Sequence, residues 1–132
     1  MPCYLKERKK LKDFILSLFR KEGRRLTELS FVFCDDPYLL ILNREFLNHD
    51  YYTDILSFPS SSPGNKYVSG EIYISVQRVR ANAKDLGVSF QQEIHRVIFH
   101  GSLHFCQYKD KSKKEQAIMR EKEDKYLDKY FQ

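Results

Sequence analysis

Changes in the spacing of hydrophobic residues constrain the fold of this chain more than any other feature. Near its start they recur every three or four positions, which predicts an amphipathic helix. That stripe consists of Leu11, Phe14, Ile15, Leu18 and Phe19. Strand-like patterns occupy 29–34, 55–58 and 71–75, and further helices are predicted from about residues 39, 75, 89 and 112. The order α-β-α-β-β-α-α-α predicts an α+β fold, a small mixed β-sheet packed with helices.

Polar residues mark the starts of the predicted helices. Ser112 and Glu115 have the three-residue spacing of a capping box, and so have Ser89 and Gln92. We expect Asp36, which precedes a proline, to cap the second helix. The last two helices are therefore predicted to run from Ser89 to about residue 106 and from Ser112 to about residue 130.

Length and composition fit a single domain over residues 1–132. A chain of 132 residues, 42% of them hydrophobic, is long enough to bury a core. The one loop-like run, 59–65, is too short to separate two domains. The formal net charge is +5, and residues 1–25 hold nine basic but only three acidic side chains. The basic residues around Lys6 to Lys12 either bind a polyanion or form the solvated side of the first helix.

Cysteine usage and hydropathy predict a cytoplasmic protein without a membrane partner. The three cysteines are widely spaced and include no CxxC pair, so we expect free thiols in a reducing compartment. The longest apolar stretch, about 38–42, is too short to cross a bilayer. Charges from Lys6 onward argue against a signal peptide. A mitochondrial transit peptide is the alternative for this basic start, but Glu7 and Asp13 argue against it.

A histidine pair on the helix from Ser89 is the main candidate for chemistry. His100 and His104 are four residues apart, so both imidazoles emerge on one side of the helix and can share a metal ion. If the helix ends near residue 106, Asp110 can return as a third ligand and leave a position for water. The same spacing also occurs on solvated helix faces and in pairs of half-buried histidines. We expect His95 to be a surface or packing histidine, and His49, alone in a loop, is a weak candidate.

Three ordered blocks of sequence identify a family. Residues 100–110, HGSLHFCQYKD, resemble the signature HGxLHLxGYDH of the YbeY endoribonuclease family, the bacterial rRNA maturation factors. The pair 42–43 followed by 53–59, TDILSFP, is similar to that family's LN and TDVLSFP segments, and 70–75 is similar to its GDIxI strand. Met119 and Glu123 fall where the family has its closing M and E.

The resemblance implies an endoribonuclease with a metal site at the end of a central helix. It implies one Zn²⁺ ion, or another divalent metal, and single-strand-specific cleavage that matures the 3′ end of 16S rRNA and serves ribosome quality control. Its partners would be ribosomal RNA and the small ribosomal subunit, with no nucleotide cofactor. The family ligands are three histidines, which carry over to His100, His104 and, with a change of residue type, Asp110.

Departures from the family pattern affect the predicted catalytic residues. The family arginine between the second-block motifs aligns with Leu47, and Arg44 lies one turn earlier, either as its substitute or as a solvated side chain. Lys109 replaces an acidic residue and either contacts a phosphate or is solvated. Gln107 replaces a glycine that would suit a left-handed helix end. Gly101 stands where zinc peptidases have their general base, so the base stays unassigned and a peptidase is disfavoured.

Two alternatives to a ribonuclease remain open from the sequence. One is a ribosome-assembly RNA-binding factor that does not cleave and whose metal is structural, which Leu47 keeps possible. The other is a metal hydrolase for a different substrate. Tyr51 and Tyr52 are candidates to stack on unpaired bases, although we expect them to be buried against the sheet. We expect Thr53 and Asp54 to turn the chain into the next strand.

Overall fold

The structure is a computed structural model that describes residues 5–49, 52–62 and 64–132. The helices in these ranges are α1 (Arg8–Lys21), α2 (Asp36–Leu47), α3 (Val76–Leu86), α4 (Phe90–Phe105) and α5 (Lys113–Tyr130). The strands are β1 (Arg25–Cys34), β2 (Ile55–Pro59) and β3 (Tyr67–Ser75). The predicted element order and the α+β class are confirmed.

The sheet is small and mixed, and β3 is its central strand. β1 pairs with β3 in parallel and β2 pairs with it antiparallel, in the spatial order β1-β3-β2. Ile72 of β3 is opposite Phe31 on one side and Ser57 on the other. Ile72 and Ile74 are fully buried, because helices cover the sheet face on which they lie.

The close packing of α4 on the sheet depends on Gly101. A Cβ atom at this position would lie 2.7 Å from Ile55 Cδ1 and 3.0 Å from Ile72 Cδ1. Glycine allows such a close approach, and the structure places side chains of the sheet there. Because Gly101 follows His100 in the chain, this contact also fixes where α4 presents its histidines.

The apolar stripes of α4 and α5 face a common core. In α4, Ile94, Val97, Ile98 and Phe105 are buried and Phe90 packs against them. In α5 the buried residues are Met119, Glu123, Tyr126, Leu127 and Tyr130. Ile118 lies beside this stripe and is 42% exposed. None of the helices described is long and apolar enough to cross a membrane.

The ends of several elements differ from the sequence prediction. Asp35, not Asp36, caps α2, since its carboxylate accepts a hydrogen bond from the backbone N–H of Tyr38 at 2.9 Å. Asp36 instead accepts bonds from the Ser75 hydroxyl at 2.5 Å and from Arg78 at 2.9 Å, which tie α2 to the start of α3. The predicted capping box of α5 is present, whereas Ser89 of α4 contributes only the cap from its own side chain.

The tyrosines proposed to stack on bases have different outcomes. Tyr51 lies outside the described residues. Tyr52 is 54% exposed, so the expectation that it is buried against the sheet was wrong. The guanidinium of Arg78 lies 5.1 Å from its ring, within range of a cation–π contact.

Candidate metal centre

Two histidines and one aspartate converge at the C-terminal end of α4. His100 and His104 lie one turn apart on this helix, and Asp110 lies in the loop that follows. The two Nε2 atoms are 3.0 Å apart. Asp110 Oδ2 lies 3.2 Å from His100 Nε2 and 3.4 Å from His104 Nε2. We call these residues the His/Asp triad; they are the three predicted ligands, and the structure brings them together.

Neighbouring acceptors fix the orientation of both imidazoles. His100 Nδ1 lies 2.6 Å from Glu123 Oε2, and His104 Nδ1 lies 2.9 Å from the carbonyl oxygen of Tyr108. Arg96 in turn donates to Glu123 Oε1 at 2.9 Å. With Nδ1 as the donor in each ring, the lone pair of each neutral Nε2 points into the triad.

The geometry of the triad fits a metal ion. Three acceptor atoms, two imidazole nitrogens and one carboxylate oxygen, repel one another unless a cation or a proton lies between them. Ligand atoms of a tetrahedral zinc site, with bonds of about 2.0–2.1 Å, lie about 3.3 Å apart. The three measured separations of 3.0, 3.2 and 3.4 Å fall around that value. Within the described residues this is the one group of at least three His, Cys, Asp or Glu side chains positioned to hold a metal ion.

The pKa values of the two histidines shift in opposite directions. Burial disfavours the charge on His100, but the hydrogen bond and negative charge of Glu123, with the charge of Asp110, raise its pKa overall. Burial and then the charge on His100 lower the pKa of His104. One proton is therefore favoured on His100, and a metal ion that binds the triad has to displace it.

The triad lies in the wall of an open cleft of about 590 Å³, which we call the main cleft. Leu47 from the end of α2 and Lys111 from the loop before α5 also line it. A polar section of wall comes from the residues before β2, the middle of β2 and the loop after it: Thr53, Asp54, Ser57, Ser61, Ser62 and Asn65. The main cleft therefore offers both hydrogen-bonding groups and a lysine beside the triad.

Thr53 and Asp54 turn the chain into β2, as the sequence suggests. The Thr53 hydroxyl donates to the carbonyl of Ile55 at 3.3 Å, and the Asp54 carbonyl accepts from the Ser75 N–H at 2.9 Å. Burial raises the pKa of the Asp54 carboxyl, opposed by the charge on His100. Asp54 thus combines a structural backbone contact with a carboxyl group in the cleft wall.

The predicted catalytic side chains lie outside the main cleft. Arg44 is exposed on α2, and Lys109 is exposed in the loop after α4. On α2 the cleft is lined by Leu47, one turn after Arg44. In the loop after α4 it is lined by Lys111, two residues after Lys109. The basic residues Lys6, Arg8, Lys9, Lys10 and Lys12 are exposed on and before α1, and none of them lines this cleft.

The other histidines do not join the triad. His95 is 1% exposed, and its ring stacks on Tyr130 with 4.9 Å between the centroids. His95 Nδ1 lies 2.6 Å from the carbonyl of Gln91. His49 is exposed after the end of α2. His95 is therefore a packing residue, and neither histidine belongs to the described group of possible metal ligands.

A largely buried carboxylate at the C-terminal cap of α1 holds the loop that carries Asp110. Glu22 accepts hydrogen bonds from the hydroxyls of Tyr108, at 2.6 Å, and Tyr126, and Lys122 lies 3.3 Å from it. Tyr108 therefore connects Glu22, through its side chain, to His104, through its carbonyl oxygen. The sequence analysis missed Glu22, since 86 positions separate it from Tyr108 and no local pattern joins them.

A solution structure found in the comparison with solved structures has the same fold. TM1509 from Thermotoga maritima matches with a TM-score of 0.64 and 27% sequence identity, over 96% of this chain and 85% of that protein. The match covers nearly all the elements described above.

The comparison with protein families and curated relatives is more specific. Residues 4–131 match the family model described as Endoribonuclease YbeY. Proteins of that name from Flavobacterium psychrophilum and Cytophaga hutchinsonii are 46% and 44% identical over 87% and 93% of this chain, and over 81% and 85% of their own lengths. The Porphyromonas gingivalis protein is 47% identical over 86% of this chain and 74% of its own length. On this evidence the chain belongs to the Endoribonuclease YbeY family.

Proposed function

We propose that this protein is a metal-dependent, single-strand-specific endoribonuclease that acts in rRNA processing. Its substrate would be ribosomal RNA of the small subunit at the 16S 3′ end, with a further role in ribosome quality control in the cytoplasm. The observation that carries the proposal is the convergence of two imidazole nitrogens and one carboxylate oxygen in the wall of an open cleft. The names of the relatives support RNA as the substrate.

His100, His104 and Asp110 would hold one divalent ion, for which zinc is the best match to the donor set. When bound, such an ion polarises a phosphoryl oxygen and lowers the pKa of its water. Glu123 and the Tyr108 carbonyl keep the two imidazoles in the tautomer that binds a metal. The anionic ligand Asp110 makes the site less electron-poor than three imidazoles would, so harder metals should be tolerated better.

The walls of the main cleft suit a single RNA strand. Ser57, Ser61 and Asn65 offer donors and acceptors to sugars and base edges, and Lys111 offers a positive charge to a phosphate. Lys109 is exposed one residue before Asp110, where it would contact a phosphate next to the metal. Arg44 would contact the strand beyond Leu47, outside the reacting centre.

An RNA-binding assembly factor with a structural metal is the second candidate. The observation that favours it is Leu47, an apolar side chain that lines the main cleft where the family signature has an arginine. Without that positive charge the protein has one fewer group to stabilise a charged transition state. The two candidates share the metal and the RNA and differ in cleavage alone.

Metal analysis tests the site. Purified wild-type protein should bind about one equivalent of zinc, and His104→Ala should lose most of it, because two ligands hold a metal much more weakly than three. His49→Ala is the matched control, since it removes an exposed histidine away from the triad. Equal metal content in wild type and His104→Ala would contradict the ligand assignment.

Cleavage of a single-stranded RNA from the 16S 3′ region, with its duplex form as control, tests the function. Metal-loaded wild type should cleave the single strand, and Asp110→Ala should be at least about a hundredfold slower because it loses a metal ligand. Asp85→Ala, on the exposed side of α3, should retain full activity. RNA binding without cleavage by the metal-loaded wild type would establish the assembly factor instead, whereas equal cleavage by wild type and Asp110→Ala would place the activity elsewhere.

A further inference from the structure

A second cavity adjoins the His/Asp triad on the side away from the main cleft. It has a volume of about 420 Å³ and is lined mainly by α4 and α5. It shares Asp54, Ile55, His100 and Asp110 with the main cleft, so these residues form the partition between the two spaces. A strand whose phosphate lies at the triad therefore has room for one nucleotide on each side.

Glu93 in the first turn of α4 is the unusual residue of this second cavity. The residue is only 4% exposed, and its Oε1 atom has no hydrogen-bond partner. Burial raises the pKa of its carboxyl overall, and the nearby charges of Asp54 and Glu123 add to this rise, while the positive charges of Arg96 and Arg120 oppose it. A buried acceptor without a partner is rare in folded proteins, which makes a ligand that supplies a donor the natural explanation.

The other carboxylates around the second cavity are already engaged. Glu123 bonds with Arg96 and His100 through its two oxygens. Asp110 belongs to the triad, and Asp54 accepts from the Asn82 amide at 3.4 Å. Glu93 joins no group of three possible metal ligands among the described residues. Its free oxygen is therefore better matched to an N–H donor than to a second metal ion.

The rest of the cavity lining suits a flat, partly polar ligand. Val97 and Met119 supply apolar surface, and Gln116 supplies an amide. The guanidinium of Arg120 also lines the cavity, and none of the ion pairs of the described residues involves it. The second cavity thus combines a carboxylate, a guanidinium and apolar walls beside the phosphate-binding centre.

We propose that the second cavity binds a guanine base of the RNA, in the nucleotide next to the phosphate that is cleaved. Guanine offers neighbouring N1–H and N2–H donors for Glu93, and its O6 and N7 atoms are the acceptors that arginine binds best. Adenine and uracil place acceptors beside their donor and would face the carboxylate less well. The proposal rests on the proposed ribonuclease function for its biological meaning, but binding of the base does not require cleavage.

The test compares guanosine 5′-monophosphate with inosine 5′-monophosphate, which lacks only the N2 amino group. Titration calorimetry on the zinc-loaded protein should show about tenfold tighter binding of the guanine nucleotide, because one hydrogen bond to a charged acceptor is lost with inosine. The phosphate contributes equally to both and cancels. Glu93→Gln should abolish the difference, and Arg120→Ala should weaken both nucleotides.

The controls separate this proposal from misfolding and from the proposed function. Glu121→Gln, at an exposed position of α5 outside the cavity, should behave as wild type. Glu93→Gln should keep its thermal midpoint within a few degrees and its full metal content. Equal affinity of wild type for the two nucleotides, or loss of metal from Glu93→Gln, would overturn the guanine site. Discrimination between the nucleotides in a protein that cleaves no RNA would keep the guanine site and refute the ribonuclease.

Discussion

Gln107 adopts a backbone conformation that residues other than glycine rarely take. Its φ is 75°, in the left-handed region, directly after the end of α4. The N–H of Gln107 bonds to the carbonyl of His104 at 3.0 Å and that of Tyr108 to the carbonyl of Leu103 at 3.1 Å, the pattern of a Schellman helix end. This reversal brings the following loop back to α4, where Asp110 meets the two histidines. Local strain is thus accepted at the residue that lets the triad form.

Gln107→Gly should stabilise the protein. Relief of the left-handed conformation is worth about 1–2 kcal/mol, from which the greater freedom of glycine in the unfolded chain removes about 0.5–1 kcal/mol. We therefore expect the free energy of unfolding to rise by about 0.5–1 kcal/mol in urea denaturation. Gly87→Ala is the reverse experiment, since Gly87 has a φ of 70° and open space around its Cβ position, and it should destabilise. Changes of the same sign in both variants would contradict this account.

At the scale of the elements, one carboxylate joins α1, α5 and the loop between α4 and α5. The side chain of Glu22 is 9% exposed and contacts Tyr108, Tyr126 and Lys122. Burial alone would raise the pKa of Glu22, but the hydrogen bonds from the two tyrosines and the charge of Lys122 lower it overall. The ionised form is therefore the one that holds these elements together.

Glu22→Gln should destabilise the protein in a pH-dependent way. The folded-state pKa of Glu22 lies below its ordinary value of 4.5, so its ionisation contributes stability above that pH, and the contribution is lost as the pH falls through the folded pKa. We expect a loss of about 1–3 kcal/mol at pH 7 by chemical denaturation. The difference between wild type and variant should shrink below pH 4.5. A difference that stays constant from pH 7 to pH 3 would exclude ionised Glu22 as its source.

The elements themselves were largely predictable, because their signals are local. The stripe from Leu11 to Phe19 and the capping box at Ser112 each lie within a few residues, and both are present as predicted. The start of β3 was not predictable from the sequence, because residues 67–70 gain their strand conformation from parallel pairing with β1, about 40 positions earlier. Gly70 within this part of β3 also obscures the strand pattern, and its absent Cβ leaves room for Phe105.

In the candidate site, too, the residues that lie close together in the sequence were predictable and the long-range contacts were not. His100, His104 and Asp110 lie within eleven residues, so spacing and resemblance suffice to name them. The resemblance names Glu123 as a family position, but its contact with His100, 23 positions away, is visible only in the structure. The same is true of the unpaired Oε1 atom of Glu93. Tertiary packing determines which polar groups are paired, and the sequence does not encode that in any short pattern.

For the whole molecule, metal binding should appear as stability. The triad connects α4 to the loop before α5, so a ligand that binds the folded triad and not the unfolded chain raises the free energy of unfolding of the protein. At a free metal concentration about a hundred times the dissociation constant, the gain is about 2.7 kcal/mol. For a chain of this length that corresponds to a rise of roughly 10 °C in the thermal midpoint.

The measurement is thermal unfolding of the zinc-loaded protein with and without a chelator. The thermal midpoint of wild type should fall by the full amount gained from zinc when the chelator removes the metal. His104→Ala should unfold at nearly the same temperature in both conditions because it lacks the second imidazole. His49→Ala should respond to the chelator as wild type does, since its histidine lies outside the triad. Because two histidines in an unfolded chain also bind zinc weakly, the increment should level off at high zinc concentrations. A wild-type thermal midpoint that changes with neither zinc nor chelator would show that the triad holds no metal in the folded protein.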